Sequence, residues 1–256
     1  MASTKGKIVL ITGASAGFGA ACGWAFAGEG AHLILAARRT ERVEALAGQL
    51  QTEFGVETLP LTLDVTQRDQ VAEVLGGLPA RWAEIDILVN NAGLSRGMDK
   101  VYTGAIQDWE EMIDTNVKGL LYVTRAVLPG MVARGRGHVI NIGSLAGHEV
   151  YPNGNVYCAS KHAVEALTRA MRLDLSGTGV RVSAVDPGMA ETEFSVVRFR
   201  GDAARADKVY QGWQPLQAED VADAVLWCAT RPAHVNIQDV VIMATDQAST
   251  TVVNRK

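Results

Sequence analysis

The stretch Ile8-Val9-Leu10-Ile11-Thr12-Gly13-Ala14-Ser15-Ala16-Gly17-Phe18-Gly19 decides the fold. Four consecutive apolar residues, three of them β-branched, fit a strand covered on both faces, as in a parallel sheet. Glycines at 13, 17 and 19 end that strand just ahead of a helix-length segment. Such glycines let the chain turn sharply, admit a phosphate to the backbone amides and let helix and strand pack closely. The helix N-terminus then offers free N–H groups and partial positive charge to an anion. A ligand-free tight turn has the same composition. The position after a first strand in an alternating chain favours a dinucleotide, bound through Gly13, Ser15, Ala16, Gly17, Phe18 and Gly19.

Further short apolar runs follow at Leu33–Leu35, Leu59–Leu63, Ile87–Val89, Val139–Ile142, Val182–Val185 and Val240–Met243. Helix-length amphipathic segments separate them, notably about Gln107 to Met131 and Asn155 to Ser176. Alternating strands and helices imply right-handed crossovers and a doubly wound α/β sheet. No linker, repeat or low-complexity tract interrupts the 256 residues, so one domain over 1–256 is expected. The polar stretch 190–216 fits no strand and reads as a helical insertion or substrate lid. Net charge is −4, which argues against nucleic acid or an anionic membrane as the main partner. The 3 cysteines and 5 histidines are scattered without zinc-like spacing, so no metal is expected. No apolar run approaches a membrane span or signal-peptide core, and a cytoplasmic location is expected.

After the second strand come Ala37-Arg38-Arg39, where an NAD site usually carries an acidic residue for the ribose 2′-hydroxyl. Arg38 and Arg39 either begin a solvated helix or bind a 2′-phosphate; the absence of a carboxylate at Ala37 favours NADP(H). Further on, Tyr157 and Lys161 stand four residues apart, on one helix face. A fixed cation beside a phenol favours the phenolate, which can exchange a proton with an alcohol or carbonyl oxygen. Ser144, at the end of the fifth strand, could hydrogen-bond the same oxygen. Each residue alone has an ordinary structural explanation; the three together point to proton exchange with an alcohol or carbonyl oxygen.

Thr12–Gly19, Asn90-Asn91-Ala92-Gly93, Asn116, Ser144, Tyr157 with Lys161, and Asp186-Pro187-Gly188 resemble the short-chain dehydrogenase/reductase family in order and spacing. The resemblance spans nearly the whole chain. It implies a Rossmann-type sheet of about seven parallel strands and a homotetramer built on the long helices and the C-terminal strand region. It further implies Tyr157 as general acid/base, Lys161 lowering its pKa and holding the nicotinamide ribose, Ser144 orienting the carbonyl, and Asn116 keeping a water in a proton relay. By the same resemblance Asp64 and Val65, ending the third strand, contact the adenine. Asn91, Ala92 and Gly93 support the sheet and the adenine side, while Pro187, Gly188 and Thr192 close over the nicotinamide.

Asn155-Val156-Tyr157, Thr192-Glu193-Phe194-Ser195, Val197-Arg198-Phe199 and Pro232–Ile237 are similar to a group within that family acting with NADP on short 3-hydroxy acids. That similarity implies serine, allo-threonine, 3-hydroxypropionate or their semialdehydes as substrates, with sulfoacetaldehyde reduction close by. The hinge Met189-Ala190-Glu191 before Thr192 is one residue shorter than in that group. A small anionic substrate needs cationic or amide groups, and the candidates are Arg96, His148, Asn153, Arg198 and Arg200. A broad carbonyl reductase for neutral ketones or aldehydes would instead use Tyr151, Phe194 and Trp213. A non-catalytic dinucleotide sensor is the third reading, disfavoured because it has no need of Ser144, Tyr157, Lys161 and Asn116 together.

Overall fold

The computed structural model describes residues 3–256. Seven strands form one parallel sheet: β1 (Ile8–Thr12), β2 (His32–Ala37), β3 (Thr58–Thr62), β4 (Ile87–Asn90), β5 (Gly137–Ile142), β6 (Val180–Pro187) and β7 (Asp239–Ile242). Their order is β3-β2-β1-β4-β5-β6-β7, so the direction of winding reverses between β1 and β4. Ligands of such sheets bind in the crevice at the carboxyl ends of strands where that reversal occurs. Thr12 and Asn90 end β1 and β4 there, and Thr12 pairs with Ala36 one residue before the end of β2.

Side chains of each strand alternate between two hydrophobic layers. Val9, Ile11, Leu33 and Leu35 pack against α1 (Gly17–Gly28), α2 (Thr40–Phe54) and α9 (Ala218–Ala229), with Phe26, Leu50 and Val225 fully buried. Leu10, Ile34, Leu88 and Val139 face the other way, against α3 (Arg68–Gly76), α5 (Leu120–Ala133) and α6 (Asn155–Asp174). Each fully buried Leu, Ile or Val contributes roughly 1.5–3 kcal/mol, so both layers are needed to hold the parallel sheet. Among the described residues no helix is long and apolar enough to cross a membrane.

Three expectations need correction. The third strand covers Thr58–Thr62, so Asp64 and Val65 follow it rather than end it. Asp64 Oδ1 accepts hydrogen bonds from the Thr66 amide (3.0 Å) and hydroxyl (2.8 Å), which makes this a turn. Second, the segment from Gln107 to Met131 is not one regular helix. It begins as α4 (Ile106–Ile113), widens into a π-turn over Asp114–Gly119 and continues as α5. A π-turn adds a residue to the helical repeat, a frequent device at functional sites. Third, Trp213 packs inside the 190–216 segment with Ala190, Leu216 and Ala244 rather than on the crevice lined by Tyr151 and Tyr157. That segment is helical as expected, with α7 (Phe194–Arg198) and α8 (Ala203–Asp207) between Ala190 and Leu216, which bridge to each other.

A cluster of ionisable groups lies inside this apolar frame. Asp186 on β6 and Glu165 on α6 are 0% and 3% exposed, and both carboxyls crowd Gly143, where a Cβ would collide with Asp186. His148 Nε2 completes the cluster, 3.0 Å from Asp186 Oδ2. Neither Glu165 oxygen has a conventional donor. Two buried carboxylates this close cannot both ionise cheaply, which favours protonation of one of them. Burial, reinforced by Asp186, pushes the Glu165 carboxyl up to about 8. Burial also raises Asp186, against the pull of Lys161.

Because the folded pKa of Glu165 is raised, its stabilising contribution is full below the usual carboxylate range and is lost as pH rises through about 8. Glu165→Gln keeps the shape and a donor toward Asp186 but cannot ionise. Thermal unfolding between pH 5 and 9 should show the Tm of the variant gaining on wild type as pH rises. A pH-independent offset would show that no proton is held there.

Candidate active site

The site starts from the end of β1. Thr12 Oγ1 accepts from the amides of Asn91 and Ala92, both at 3.0 Å, while Asn91 Nδ2 donates to the carbonyls of Thr12 (2.8 Å) and Gly13 (3.2 Å). These bonds lock the glycine turn onto the loop after β4. Gly13 has φ +66, and a Cβ there would press on Ala92 and Asn91. A Cβ on Gly19 would collide with the Gly13 carbonyl. Both positions therefore require glycine for close approach. The first turn of α1 has no side-chain cap at Ala16 and no acidic residue, so its N–H groups are left to an anion from outside. That is the donor set a pyrophosphate requires. Ser15, Gly17 and Phe18 border this turn, with Thr192 of the 190–216 segment directly over Gly17.

At the ends of β2 and α2, Arg39 Nε donates to Ser15 Oγ at 3.0 Å and Arg39 Nη1 to Glu193 at 2.8 Å. Arg42 Nη1 donates to the other Glu193 oxygen at 2.6 Å. Arg38 has no ion-pair partner among the described residues. Of the expected adenine contacts, Val65 is buried beneath Gly119 of the π-turn, and Asp64 accepts from Thr66 through Oδ1 alone. The hinge after β6 is fixed by Gln247, whose Oε1 accepts from Met189 N at 2.8 Å and fills the space beside Gly188. Nothing in the spacing of the sequence singled out Arg42, Glu193 or Gln247.

α6 carries Tyr157 and Lys161 one turn apart, both buried. Lys161 Nζ donates to the Ile142 carbonyl at 2.9 Å and lies 6.0 Å from the Tyr157 ring centroid. Burial pulls the ammonium down to about 8, while Asp186 and Glu165 oppose the shift. Burial raises the Tyr157 phenol above its ordinary value, offset first by the charge of Arg198 and then by the hydroxyl of Ser144. Two cations thus stand near the Tyr157 ring, Arg198 Cζ at 5.2 Å and Lys161 Nζ at 6.0 Å from its centroid. Ser144 Oγ accepts from Ala146 N at 3.1 Å and points toward the Pro187 carbonyl, 3.5 Å away. Asn116, brought inward by the π-turn, bonds both main-chain groups of Leu94 at 2.8 Å and Ser160 Oγ at 3.0 Å. Its side chain therefore ties the loop after β4 to α6.

Arg96, Asn153, Tyr151, Trp109, Met112 and Tyr157 line one crevice beside this centre. Arg96 is already committed to Glu111 (2.6 Å) and the Val197 carbonyl (2.6 Å). Arg200 pairs with Asp108, and His148 with Asp186. Those three are thereby removed as free partners for a substrate anion. Arg198 differs: Nη2 donates to the Tyr151 hydroxyl at 3.1 Å, but no carboxylate among the described residues pairs with it. Its Nε is buried without a partner, and its Cζ sits 5.2 Å from the Tyr157 ring and 4.9 Å from that of Phe194. The three donor atoms of His148, Glu165 and Asp186 also converge, all within 4.8 Å of one another, a grouping of metal-ligand type that the sequence spacing did not show.

Residues 7–202 match the family model described as short chain dehydrogenase. The NADP-dependent 3-hydroxy acid dehydrogenase YdfG of Salmonella typhi is 50% identical over 242 residues, 94% of this chain and 96% of that protein. Sulfoacetaldehyde reductase 2 of Chromohalobacter salexigens is 48% identical over 242 residues, covering 94% and 95%. Among solved structures, the closed form of serine dehydrogenase complexed with NADP+ superimposes with a TM-score of 0.91 at 49% identity, covering 97% of this chain and 100% of that one. With the parallel sheet, the glycine turn and the Ser144–Tyr157–Lys161 grouping in place, these matches make the chain a member of the short-chain dehydrogenase family.

Proposed function

We propose that this protein is an NADP(H)-dependent dehydrogenase that interconverts the hydroxyl and carbonyl of short 3-hydroxy acids such as serine, allo-threonine or 3-hydroxypropionate. The observation that carries the anionic substrate is Arg198, a half-buried guanidinium beside Tyr157 with no acidic partner among the described residues. A desolvated guanidinium with free donors favours a carboxylate or sulfonate, whereas a neutral ketone leaves that charge unused. The relatives agree: those named above act, by name, on 3-hydroxy acids or sulfoacetaldehyde.

The glycine turn, the first turn of α1, and Ser15 with Arg38, Arg39 and Arg42 would hold the cofactor through its pyrophosphate and 2′-phosphate. Bound NADP(H) supplies or accepts the hydride. Arg198 anchors the substrate anion and so sets the hydroxyl near Tyr157. Ser144 hydrogen-bonds the reacting oxygen, and Tyr157 takes its proton in oxidation or returns it in reduction. Lys161, lowered by burial, keeps its charge near neutral pH through Asp186 and Glu165 and favours the phenolate as the reaction proceeds. In this reading the 190–216 segment is the substrate lid of a single catalytic domain. The protein acts as a cytoplasmic homotetramer, a proposal supported by the exposed Leu121, Val132 and Leu173 on α5 and α6.

Initial rates with NADP should show saturable oxidation of L-serine, L-allo-threonine and 3-hydroxypropionate, with a neutral secondary alcohol far slower; the reverse ranking would establish a carbonyl reductase for neutral substrates. Arg198→Met should raise KM for the acids by about 10- to 100-fold, the loss expected for one charge-assisted hydrogen-bonded contact, without raising KM for the alcohol. It should also move the acidic limb of kcat for oxidation to higher pH, because the cation that favours the Tyr157 phenolate is gone. Tyr157→Phe should cut kcat by about 10²- to 10⁴-fold while NADPH fluorescence still reports binding. Unchanged turnover would remove Tyr157 from the chemistry.

A further inference from the structure

Glu193 occupies the place where the selectivity of the cofactor site is decided. Its two carboxylate oxygens accept from Arg39 at 2.8 Å and Arg42 at 2.6 Å, and Arg39 also reaches Ser15 in the glycine turn. Those guanidiniums stand at the C-terminal edge of β2 and the start of α2, where the absence of an acidic residue leaves room for a 2′-phosphate. Glu193 itself belongs to the 190–216 segment, between Thr192, which covers Gly17, and the start of α7. The carboxylate therefore presents to the arginines the fork of oxygens that a phosphate would present. The arginines hold its carboxyl below the usual range, which keeps it ionised.

A 2′-phosphate and this carboxylate cannot share the fork at no cost, since both are anions seeking the same donors. We infer that Glu193 is an internal competitor for the 2′-phosphate: the incoming phosphate displaces it from Arg39 and Arg42 and so frees the first turn of the lid. A ligand without the 2′-phosphate leaves the pairs intact and the lid anchored. Glu193 is thus a specificity-determining residue that lowers affinity for the phosphorylated cofactor and makes lid release conditional on that phosphate. The inference rests on the NADP(H) reading given above.

The probes are adenosine 2′,5′-bisphosphate and 5′-AMP, titrated calorimetrically into the full chain and its Glu193→Gln variant. Wild type should prefer the bisphosphate. The variant should bind the bisphosphate more tightly by about two- to thirtyfold, the range for losing two half-exposed ion pairs, with 5′-AMP unchanged. The gain should shrink at high salt. Hydrogen exchange across 192–200 should speed up in wild type with the bisphosphate but not with 5′-AMP, and should be fast in the variant without ligand. Weaker or unchanged bisphosphate binding by the variant, with wild-type preference intact, overturns the competitor and leaves the cofactor reading standing. Equal binding of both probes by wild type overturns the cofactor reading and this inference together.

Discussion

Everything in the site depends on the way two neighbouring parallel strands finish. β1 and β4 lie side by side where the winding reverses, and beyond Thr12 and Asn90 no strand pairs their backbone groups. Unsatisfied amides there would cost a kcal/mol or more each, about 1–3 by the usual measure. Thr12 Oγ1 and the Asn91 side chain meet that demand with four hydrogen bonds. Because Asn91 reaches the carbonyls of Thr12 and Gly13, the turn has no room for side chains at Gly13 or Gly19. The turn in turn aims the uncapped start of α1 into the crevice. One polar stitch thereby fixes the phosphate seat, the entry of the central helix and the position of the loop that carries Leu94 and Ser95.

The chemistry next to that seat is governed by burial. Lys161, Tyr157, Glu165 and Asp186 are all buried, and desolvation is the leading cause of each shift. Left alone, burial would neutralise Lys161 and keep the phenol protonated, the opposite of what proton transfer needs. Two opposing charges limit this. The partly ionised Glu165–Asp186 pair supports the ammonium from below, and Arg198 supports the phenolate from the substrate side. Gly143 is the geometric condition for the first of these, since a side chain there would push the carboxyls apart. The Asn116 amide ties the loop after β4 to the helix that carries Tyr157.

The local signals were legible in the sequence and the distant pairings were not. Apolar runs located every strand because a sheet covered on both faces must be continuously apolar. The glycine turn and the Tyr157/Lys161 spacing were readable because each is fixed by a short stretch of chain. The π-turn escaped because its apolar residues keep nearly the helical period on either side, while only Asn116 reveals the extra residue. The substrate candidates could not be sorted by type, since all were cations or amides in plausible loops. What separates them is whether a carboxylate from another element is already in place: Glu111 for Arg96, Asp108 for Arg200, Asp186 for His148, none for Arg198. Glu193 and Arg39, 154 residues apart in sequence, meet only through the fold.

The short stretch Glu193 to Arg198 joins the two ends of the site. Its first residue faces the arginines at the cofactor edge, and its last lies over Tyr157 and Phe194. Between them the single helical turn of α7 packs Phe194 and Val197 on the apolar cluster around Tyr157, and its carbonyls at Val197 and Arg198 accept from the Arg96 guanidinium and the Gly97 amide. The segment is therefore held by half-exposed ion pairs at Glu193 and by apolar packing and hydrogen bonds from Phe194 to Arg198. The strand ends set the turn and α6 sets the phenol and the lysine, while α7 brings a guanidinium without an acidic partner among the described residues over that phenol.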